Sequence, residues 1–533
     1  MQRPVQSTAA VIGELAVLSL LCAATGAWPV PDVNETVYLT KARHAADPDF
    51  GRGDFFLETP DGHGLFFRLF GALAAEMPLE SAAWVGRWAG WLAVAVGAWW
   101  ALRPLLPSAA ARIAAGALFA LALRQTTAAG EWVLGGCEAK VFAWGFVLAA
   151  AGVWARGRFS IAWALAGAGT ALHPLVGGWA QVALVLAAWW SRGELPPWKA
   201  SDVAWLGAGV AAAAVGVVPA LGLTAGADAA ERIAATRIYV VERLPHHLLP
   251  RSFADGLWAR HVLAVCVWLL LRGRLPSTPA WRRSDRLTLA ALAISAAGVV
   301  VSLAEPLAPA AVYGLLRYYF FRLADVLVPL SLAATVAAVL ADRAVLARLL
   351  PLPVPATRAL AALLLAADLA GQSAHWPLPG RSTPAPRADA RVDAPAWRDA
   401  CRWVAANVPA GARFLTPRGA ASFTWFTGRA EVVGWKNSPQ DVPSLLEWRR
   451  RMIDCYSRDG SLRGMVNSTP ELGRERAAAA AARYGATHAI VPVDVPGIDD
   501  FGWDLLHRAG VYAVYRIPAG DRAPSPHDAP ADR

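Results

Sequence analysis

The chain has 533 residues, is 56% hydrophobic and 17% charged, carries 25 tryptophans and has a formal net charge of +10. Such a profile is too apolar for an ordinary soluble multidomain protein. Nor does the positive charge point to nucleic acid, because the arginines gather between apolar segments as orientation signals do.

A membrane-spanning helix needs roughly 20 mainly apolar residues. Taken in chain order, apolar windows fall at residues 9–28, 82–102, 110–124, 141–155, 161–172, 175–190, 203–223, 258–271, 287–304, 323–340 and 357–371, predicting about eleven spans. The first resembles a secretion signal in isolation, but the same kind of segment recurs along the chain, so it reads as the first span. Arg103 and Arg112, Arg156 and Arg158, Arg192 and Lys199, the basic run from Arg272 to Arg286, and Arg343, Arg348 and Arg358 fall on one side of the spans. By the positive-inside bias that side is the cytoplasm. The N-terminus is then cytoplasmic, and residues 29–81, 125–140, 173–178, 224–257, 305–322 and everything after about 372 lie outside.

This pattern divides the chain into a polytopic transmembrane domain at 1–376 with an acidic first outer loop at 29–81, a Pro- and Arg-rich linker at 377–395, an extracytoplasmic domain at 396–518 and a disordered Pro/Ala/Asp-rich tail at 519–533. Within 396–518, helical spacing at 397–407, 444–456 and 471–484 alternates with strand-like runs at 413–416, 431–435, 488–493 and 511–517, the signature of a small α/β domain. The fold class is therefore mainly α, a polytopic helical membrane domain with a small C-terminal α/β domain. Of the five cysteines, Cys401 and Cys455 share that domain and are candidates for a disulfide in an oxidising compartment, the alternative being two buried thiols.

Candidate chemistry concentrates at the outer boundary. The first outer loop opens Pro31-Asp32-Val33-Asn34-Glu35-Thr36-Val37-Tyr38. A carboxylate held close to the membrane surface there can take a proton from a hydroxyl attacking a lipid-presented sugar. Glu35 lies a few residues beyond the span and is the first candidate. The next outer loop carries Glu131, Gly135-Gly136, Glu138 and Lys140, ionisable groups beside hydrocarbon that usually face a polar cavity, with a Gly pair that lets backbone pass close to a ligand. Glu138 and Lys140 read equally well as a mutual ion pair. His173, in Leu172-His173-Pro174, is either a ligand for a phosphate or sugar hydroxyl or a helix cap. His246 and His247 lack further ligands at zinc spacing. Arg317 and Arg322 flank the aromatic run Tyr318-Tyr319-Phe320-Phe321. Arg317 reads equally well as a bidentate clamp on a phosphate and as a snorkelling side chain in an aromatic interface belt, whereas Arg322 reads more simply as a snorkelling side chain or an i,i+3 partner of Asp325. Trp425 and Trp435 read as core aromatics more readily than as sugar-stacking platforms.

The layout, with Asn34-Glu35 and Tyr38 after the first span, Gly130-Glu131-Trp132 and Glu138-Ala139-Lys140 in the second outer loop and Gly434-Trp435-Lys436 near the C-terminus, resembles the GT-C class of membrane glycosyltransferases, which includes protein mannosyltransferases and the aminoarabinose transferases of lipid A. It is especially similar to an uncharacterised bacterial family of multi-pass proteins, which implies a place in a bacterial inner membrane. The resemblance implies transfer of a sugar from a polyprenyl-phosphate donor to an extracytoplasmic glycan, lipid or protein acceptor, with membrane lipid as solvent and no nucleic-acid partner. It implies catalytic roles for Glu35 and Asp32 and substrate contacts from Asn34, Tyr38, Glu131, Glu138 and Lys140, to which the reading of the residues themselves adds His173 and Arg317. No cofactor is certain; a divalent metal is compatible. Asn34 stands where the class places an Asp base, so either Glu35 or Asp32 supplies the base or the protein is non-catalytic. A transporter, or an anchor whose C-terminal domain binds a ligand, is the alternative of the same architecture.

Overall fold

The structure is a computed structural model that describes residues 7–349 and 352–521. Helix α1 (Thr8–Gly26) leads into the first outer loop, which is itself largely helical, with α2 (Glu35–Ala46) and α3 (Gly64–Glu76). Then follow α4 (Leu79–Leu102), α5 (Ala109–Gln125), α6 (Ala139–Ala155), α7 (Phe159–Leu172), α8 (Pro174–Trp190) and α9 (Ala200–Gly222). A second helical excursion holds α10 (Ala229–Arg237) and the single turn α11 (Pro245–Leu248). The helical part closes with α12 (Asp255–Arg272), α13 (Pro279–Leu303), α14 (Pro309–Leu316), α15 (Ala324–Ala341), α16 (Arg343–Leu349) and α17 (Val354–Gln372). Each apolar window read from the sequence is helical.

Among the described residues, α1, α9, α13, α15 and the stretch Val354–His375 are long and apolar enough to cross a bilayer, and α6, α7 and α8 are apolar but shorter. Helix α9 buries only Gly209 and Gly216, while its Val203, Val218 and Leu221 are 69%, 65% and 68% exposed. A helix so apolar and so bare needs lipid to cover it. The chain is a multi-pass membrane protein.

Between helices, packing relies on small residues. A side chain on Gly97 would meet the Gly145 carbonyl oxygen at 2.4 Å, and one on Gly145 would meet the Ala93 backbone at 2.9 Å. The two glycines let α4 and α6 approach backbone to backbone, which is how helices associate where no hydrophobic effect drives them together. Arg112, counted above with the cytoplasmic charges, instead forms a buried fork with Glu14 of α1, its Nη2 donating to Glu14 Oε2 over 2.7 Å. Such a charge cannot be left unpaired at this depth.

The C-terminal part contains α18 (Ala394–Asn407), β1 (Arg413–Leu415), α19 (Phe423–Thr427), β2 (Ala430–Glu431), α20 (Val442–Tyr456), α21 (Arg474–Tyr484), β3 (His488–Pro492), β4 (Asp504–Ala509) and β5 (Tyr512–Arg516). The strands form one sheet in the order β2-β1-β3-β5-β4, with β1 parallel to β2 and β3, and β5 antiparallel to β3 and β4. Strand alternation sends Phe414, Ile490 and Val514 to the α18 side with Trp397 and Cys401. It sends Leu415, Ala489, Val491, Ala513 and Tyr515 to the α20 and α21 side with Trp448, Met452 and Cys455. Cys401 and Cys455 thus belong to opposite faces of the sheet, and both are free thiols. Strand β4 was not legible in the sequence because it is a bulged edge strand with a mostly solvated, mixed composition. The run 431–435 is strand only at its first residue.

The stretch 377–395 is tied down where it passes the helices. The Arg387 guanidinium lies 4.0 Å from the Trp28 ring and 4.1 Å from the Trp132 ring, and Ala388 and Asp389 are buried. Of the expected disordered tail, Ala519–Asp521 forms a short 3-10 turn, and residues 522–533 lie outside the described part.

Candidate functional site

The C-terminal part sits directly on the outer loops. Asp54 accepts hydrogen bonds from the Glu431 N–H at 3.0 Å and the Thr424 hydroxyl at 3.2 Å, Arg413 donates to the Gly53 carbonyl at 2.7 Å, and the Val442 N–H donates to the Leu223 carbonyl at 3.0 Å. Beneath this junction the sequence candidates sort into an anchor, a polar cluster and a cavity.

The anchor is Glu35. It is fully buried, and the Nε and Nη2 of Arg87 on α4 donate to its two oxygens, each over 2.7 Å. The N–H groups of Asp32 and Cys137 donate to the same carboxylate over 2.7 and 2.9 Å. Two forked guanidinium bonds and two backbone donors occupy its accepting positions. The residue expected as base therefore holds the first outer loop, the second outer loop and α4 together. The Gly135-Gly136 pair serves the same junction. A side chain on Gly136 would meet Glu35 Cγ at 2.6 Å, and one on Gly135 would meet Trp132 Nε1 at 2.0 Å and Asp32 Oδ2 at 3.0 Å. The close approach that the glycines permit is to these side chains.

The polar cluster surrounds Asn34. Its amide nitrogen donates to Glu138 Oε2 at 2.6 Å, and its Oδ1 accepts from Lys436 Nζ of the C-terminal part at 2.7 Å. Asparagine, with a donor and an acceptor at one end, bridges a carboxylate and an ammonium in a way aspartate cannot. Lys140 stands 3.7 Å from Glu138, realising the ion-pair reading of those two residues. Burial pushes the Glu138 carboxyl up to about 7, Lys140 opposing it. Burial, helped by Arg243, brings the Lys436 ammonium down to about 7. Asp32 caps its own turn, accepting from the Val33 N–H at 2.7 Å, and faces Arg387 Nη1 at 3.5 Å.

The cavity, of about 230 Å³, opens between α20 and the ends of the helices that face the C-terminal part. Tyr38, His63, His173, Arg317, Tyr319 and Arg322 are among its lining groups, and Leu175, Ala220 and Leu223 form an apolar approach to it. Arg317 donates to the Thr236 hydroxyl at 3.2 Å. Arg322 does not pair with Asp325. It donates to Glu131 Oε2 at 2.9 Å, stands 3.4 Å from His173 Nε2 and stacks 3.9 Å from the Tyr319 ring. Asp325 instead accepts the N–H groups of Ala128, Ala129 and Glu131 at 2.6, 3.0 and 3.2 Å, fixing the loop that presents Glu131. Burial alone would raise the Glu131 carboxyl, but Arg322 and Lys140 bring it below its ordinary value. Tyr319 has a left-handed backbone, φ 56°, a conformation costly for an aromatic residue and characteristic of functional positions. Its hydroxyl lies 3.0 Å from that of Tyr239. Burial, with the Glu138 and Asp61 carboxylates behind it, holds the Tyr38 hydroxyl well above its ordinary value, so it is a neutral donor.

His173 caps α8, accepting from the Val176 N–H at 3.4 Å with Pro174 at the first helical position, and lines the cavity as well. Lys140 belongs to the cluster and does not line the cavity, so the second cation there is Arg322. Sequence reasoning missed His63, Tyr239 and Tyr319, which come from three separate loops. The one available signal was the aromatic run between Arg317 and Arg322. Among the described residues no group of three or more His, Cys, Asp or Glu side chains is arranged to hold a metal ion, and the carboxylates of this region already face Arg87, Arg322, Arg387 or Lys140.

A family described as a domain of unknown function, DUF6798, matches residues 395–455, the stretch that carries Trp435 and Lys436. No curated protein matches the chain. Among solved structures, the crystal structure of ArnT from Cupriavidus metallidurans bound to undecaprenyl phosphate is similar over 97% of this chain and 99% of that one, at 13% identity and a TM-score of 0.37. At that level the likeness bears on neither the ligand nor the chemistry of this chain.

Proposed function

We propose that the protein is an integral membrane glycosyltransferase that moves a sugar from a polyprenyl-phosphate donor to an acceptor on the extracytoplasmic face. One observation carries the reading: a cavity at the outer ends of the spans combines two guanidinium groups and tyrosine hydroxyls with an apolar approach. A lipid phosphate needs both surfaces at once, cationic donors for its head and hydrocarbon for its chain. Arg317 and Arg322 hold the phosphate and stabilise it as it leaves, Tyr38 and Tyr319 donate to its oxygens or to the sugar, and Glu131 with Asp325 keeps Arg322 in place.

The base moves from Glu35 to the carboxylates beside it. Glu138, raised to about 7, is matched to accepting a proton near neutrality, and Asp32 is the second candidate. The acceptor hydroxyl gives its proton to the carboxylate, its oxygen bonds to the anomeric carbon, and the bond from that carbon to the phosphate oxygen breaks, leaving polyprenyl phosphate. The test is incubation of the protein in nanodiscs with a panel of polyprenyl-phosphate sugars and extracted acceptor material, measuring free polyprenyl phosphate from the parent chain and from Glu138→Gln and Arg322→Ala. Release that both variants lower is the expected result. Equal release from all three would remove these residues from the chemistry, and no release from a folded protein with any donor would overturn the reading. The locked Glu35 favours the second reading, a non-catalytic membrane protein or transporter with a ligand-binding C-terminal part, which that last outcome would leave standing.

A further inference from the structure

A second cavity, of about 530 Å³ and with Lys436 in its wall, lies between the turn near α11, the stretch around Arg387 and the segments before α19 and α20. Its walls carry Arg243, Arg387, Arg391, Arg418 and Lys436 against one carboxylate, Glu242. That carboxylate is already engaged by Arg449 Nε at 2.7 Å, and Arg387 is matched by Asp32. Among the described residues Arg243, Arg391, Arg418 and Lys436 have no carboxylate within 4.0 Å.

Cations brought together in this way repel one another and lose hydration, and the environment registers both costs. Burial, then the nearby Arg391, lowers the Arg418 guanidinium. Arg243 is the sharpest case. It is 9% exposed, its Nη2 reaches only the Lys436 carbonyl at 3.4 Å, and its buried Nε has no hydrogen-bond partner. A buried guanidinium donor without a partner is costly, and an anion held in this cavity would satisfy it. Trp435 stands beneath, its ring centroid 5.2 Å from Arg243 Cζ, and offers a flat face beside the charges.

We infer that this cavity is a binding site for a polyanion, a ligand bearing two or more phosphate or carboxylate groups that bridge Arg243, Arg391 and Arg418. Two or more anionic groups suit cations that come from three separate segments, each guanidinium forking to its own pair of oxygens. Lys436 carries the ligand's influence inward, since the same ammonium that lines this cavity bonds Asn34, and Asn34 bonds Glu138.

The site is tested by isothermal titration calorimetry on the full chain in neutral phosphatidylcholine nanodiscs, with inorganic pyrophosphate and, separately, citrate as probes. The expected result is saturable binding of at least one probe that weakens tenfold or more in Arg243→Gln and in the Arg391→Ala/Arg418→Ala double variant. The double variant removes exposed and half-buried side chains, so it keeps the test open if Arg243→Gln fails to fold. Preference for pyrophosphate names a phosphate ligand, and preference for citrate a polycarboxylate. Loss of the pyrophosphate signal in nanodiscs containing phosphatidylglycerol names a lipid headgroup as the occupant, and its persistence a soluble anion. Absence of saturable binding by both probes, or binding unchanged in the double variant, overturns the inference. The measurement involves no turnover, so its result is independent of the transferase reading.

Discussion

The tyrosine-lined cavity and the basic cavity handle positive charge in opposite ways. In the tyrosine-lined cavity Arg322 is held by Glu131 and His173 and stacked on Tyr319, so its orientation is fixed before any ligand arrives. In the basic cavity Arg243 is buried with its Nε unsatisfied and no carboxylate beside it. Held charges are arranged for stabilising developing charge at a defined position, whereas unmatched ones await an external anion. The same residue type serves both ends because a planar five-donor fork can be fixed from one edge while presenting the other.

The most disruptive way to break this contrast is to remove its common support. Glu35→Gln leaves Arg87 buried without its counter-charge, and breaking a buried pair from one side costs about 3–5 kcal/mol. The expected outcome is loss of monodisperse protein on size-exclusion chromatography in detergent, so that the variant fails by folding. A well-folded, inactive Glu35→Gln would return that residue to the chemistry. Next comes Glu138→Gln, for which general-base loss predicts a fall of about 10²–10⁴ in polyprenyl phosphate release with the fold intact, read alongside thermal stability. Arg322→Ala is expected to lower release by about 10²–10³, the scale for losing one preorganised charge donor, while leaving pyrophosphate binding in the other cavity unchanged. An equal effect on both would merge the two sites into one. Gly136→Ala drives a methyl group toward Glu35 and should cost about 1–3 kcal/mol as overpacking does, measured as a lowered unfolding temperature.

The smallest effect concerns pH and separates polyprenyl phosphate release from polyanion binding by sign. Glu138 must be ionised to accept a proton, so release rises as pH passes upward through about 7. Lys436 is cationic only below about 7, so polyanion affinity falls a few-fold over the same interval, the scale of one partly screened charge. The groups around Lys436 are Asn34, Asp32, Glu138, Lys140 and Arg243, and Lys436→Met should flatten the binding profile without flattening that of release.

The helices and three of the sheet's inner strands were legible because hydrophobic length and period report directly on burial. The edge strand β4 was not, since half of its residues face water. The site was legible as an inventory and not as an arrangement. Tyr38, His173 and Arg317 do line one cavity, but Glu35 looked like a base because local sequence cannot show Arg87 arriving from 52 positions away. Likewise Arg322 seemed matched to Asp325 by helical spacing, whereas the intervening chain is a turn and each side chain finds a partner in the second outer loop. Asn34, which looked like a missing Asp, is the residue type that its two opposite neighbours require.

The junction between the first outer loop and the C-terminal part also sets a timetable for biogenesis. Asn34 meets Lys436 across 402 positions, and Asp54 meets Glu431 across 377. The loop emerges among the first residues made, yet its closing partners arrive only after the last span has been synthesised, and contacts this remote in sequence form late. Throughout synthesis, then, Asp54 and Asn34 lack those partners, and a chain stalled before its C-terminal part leaves this junction open and unfinished.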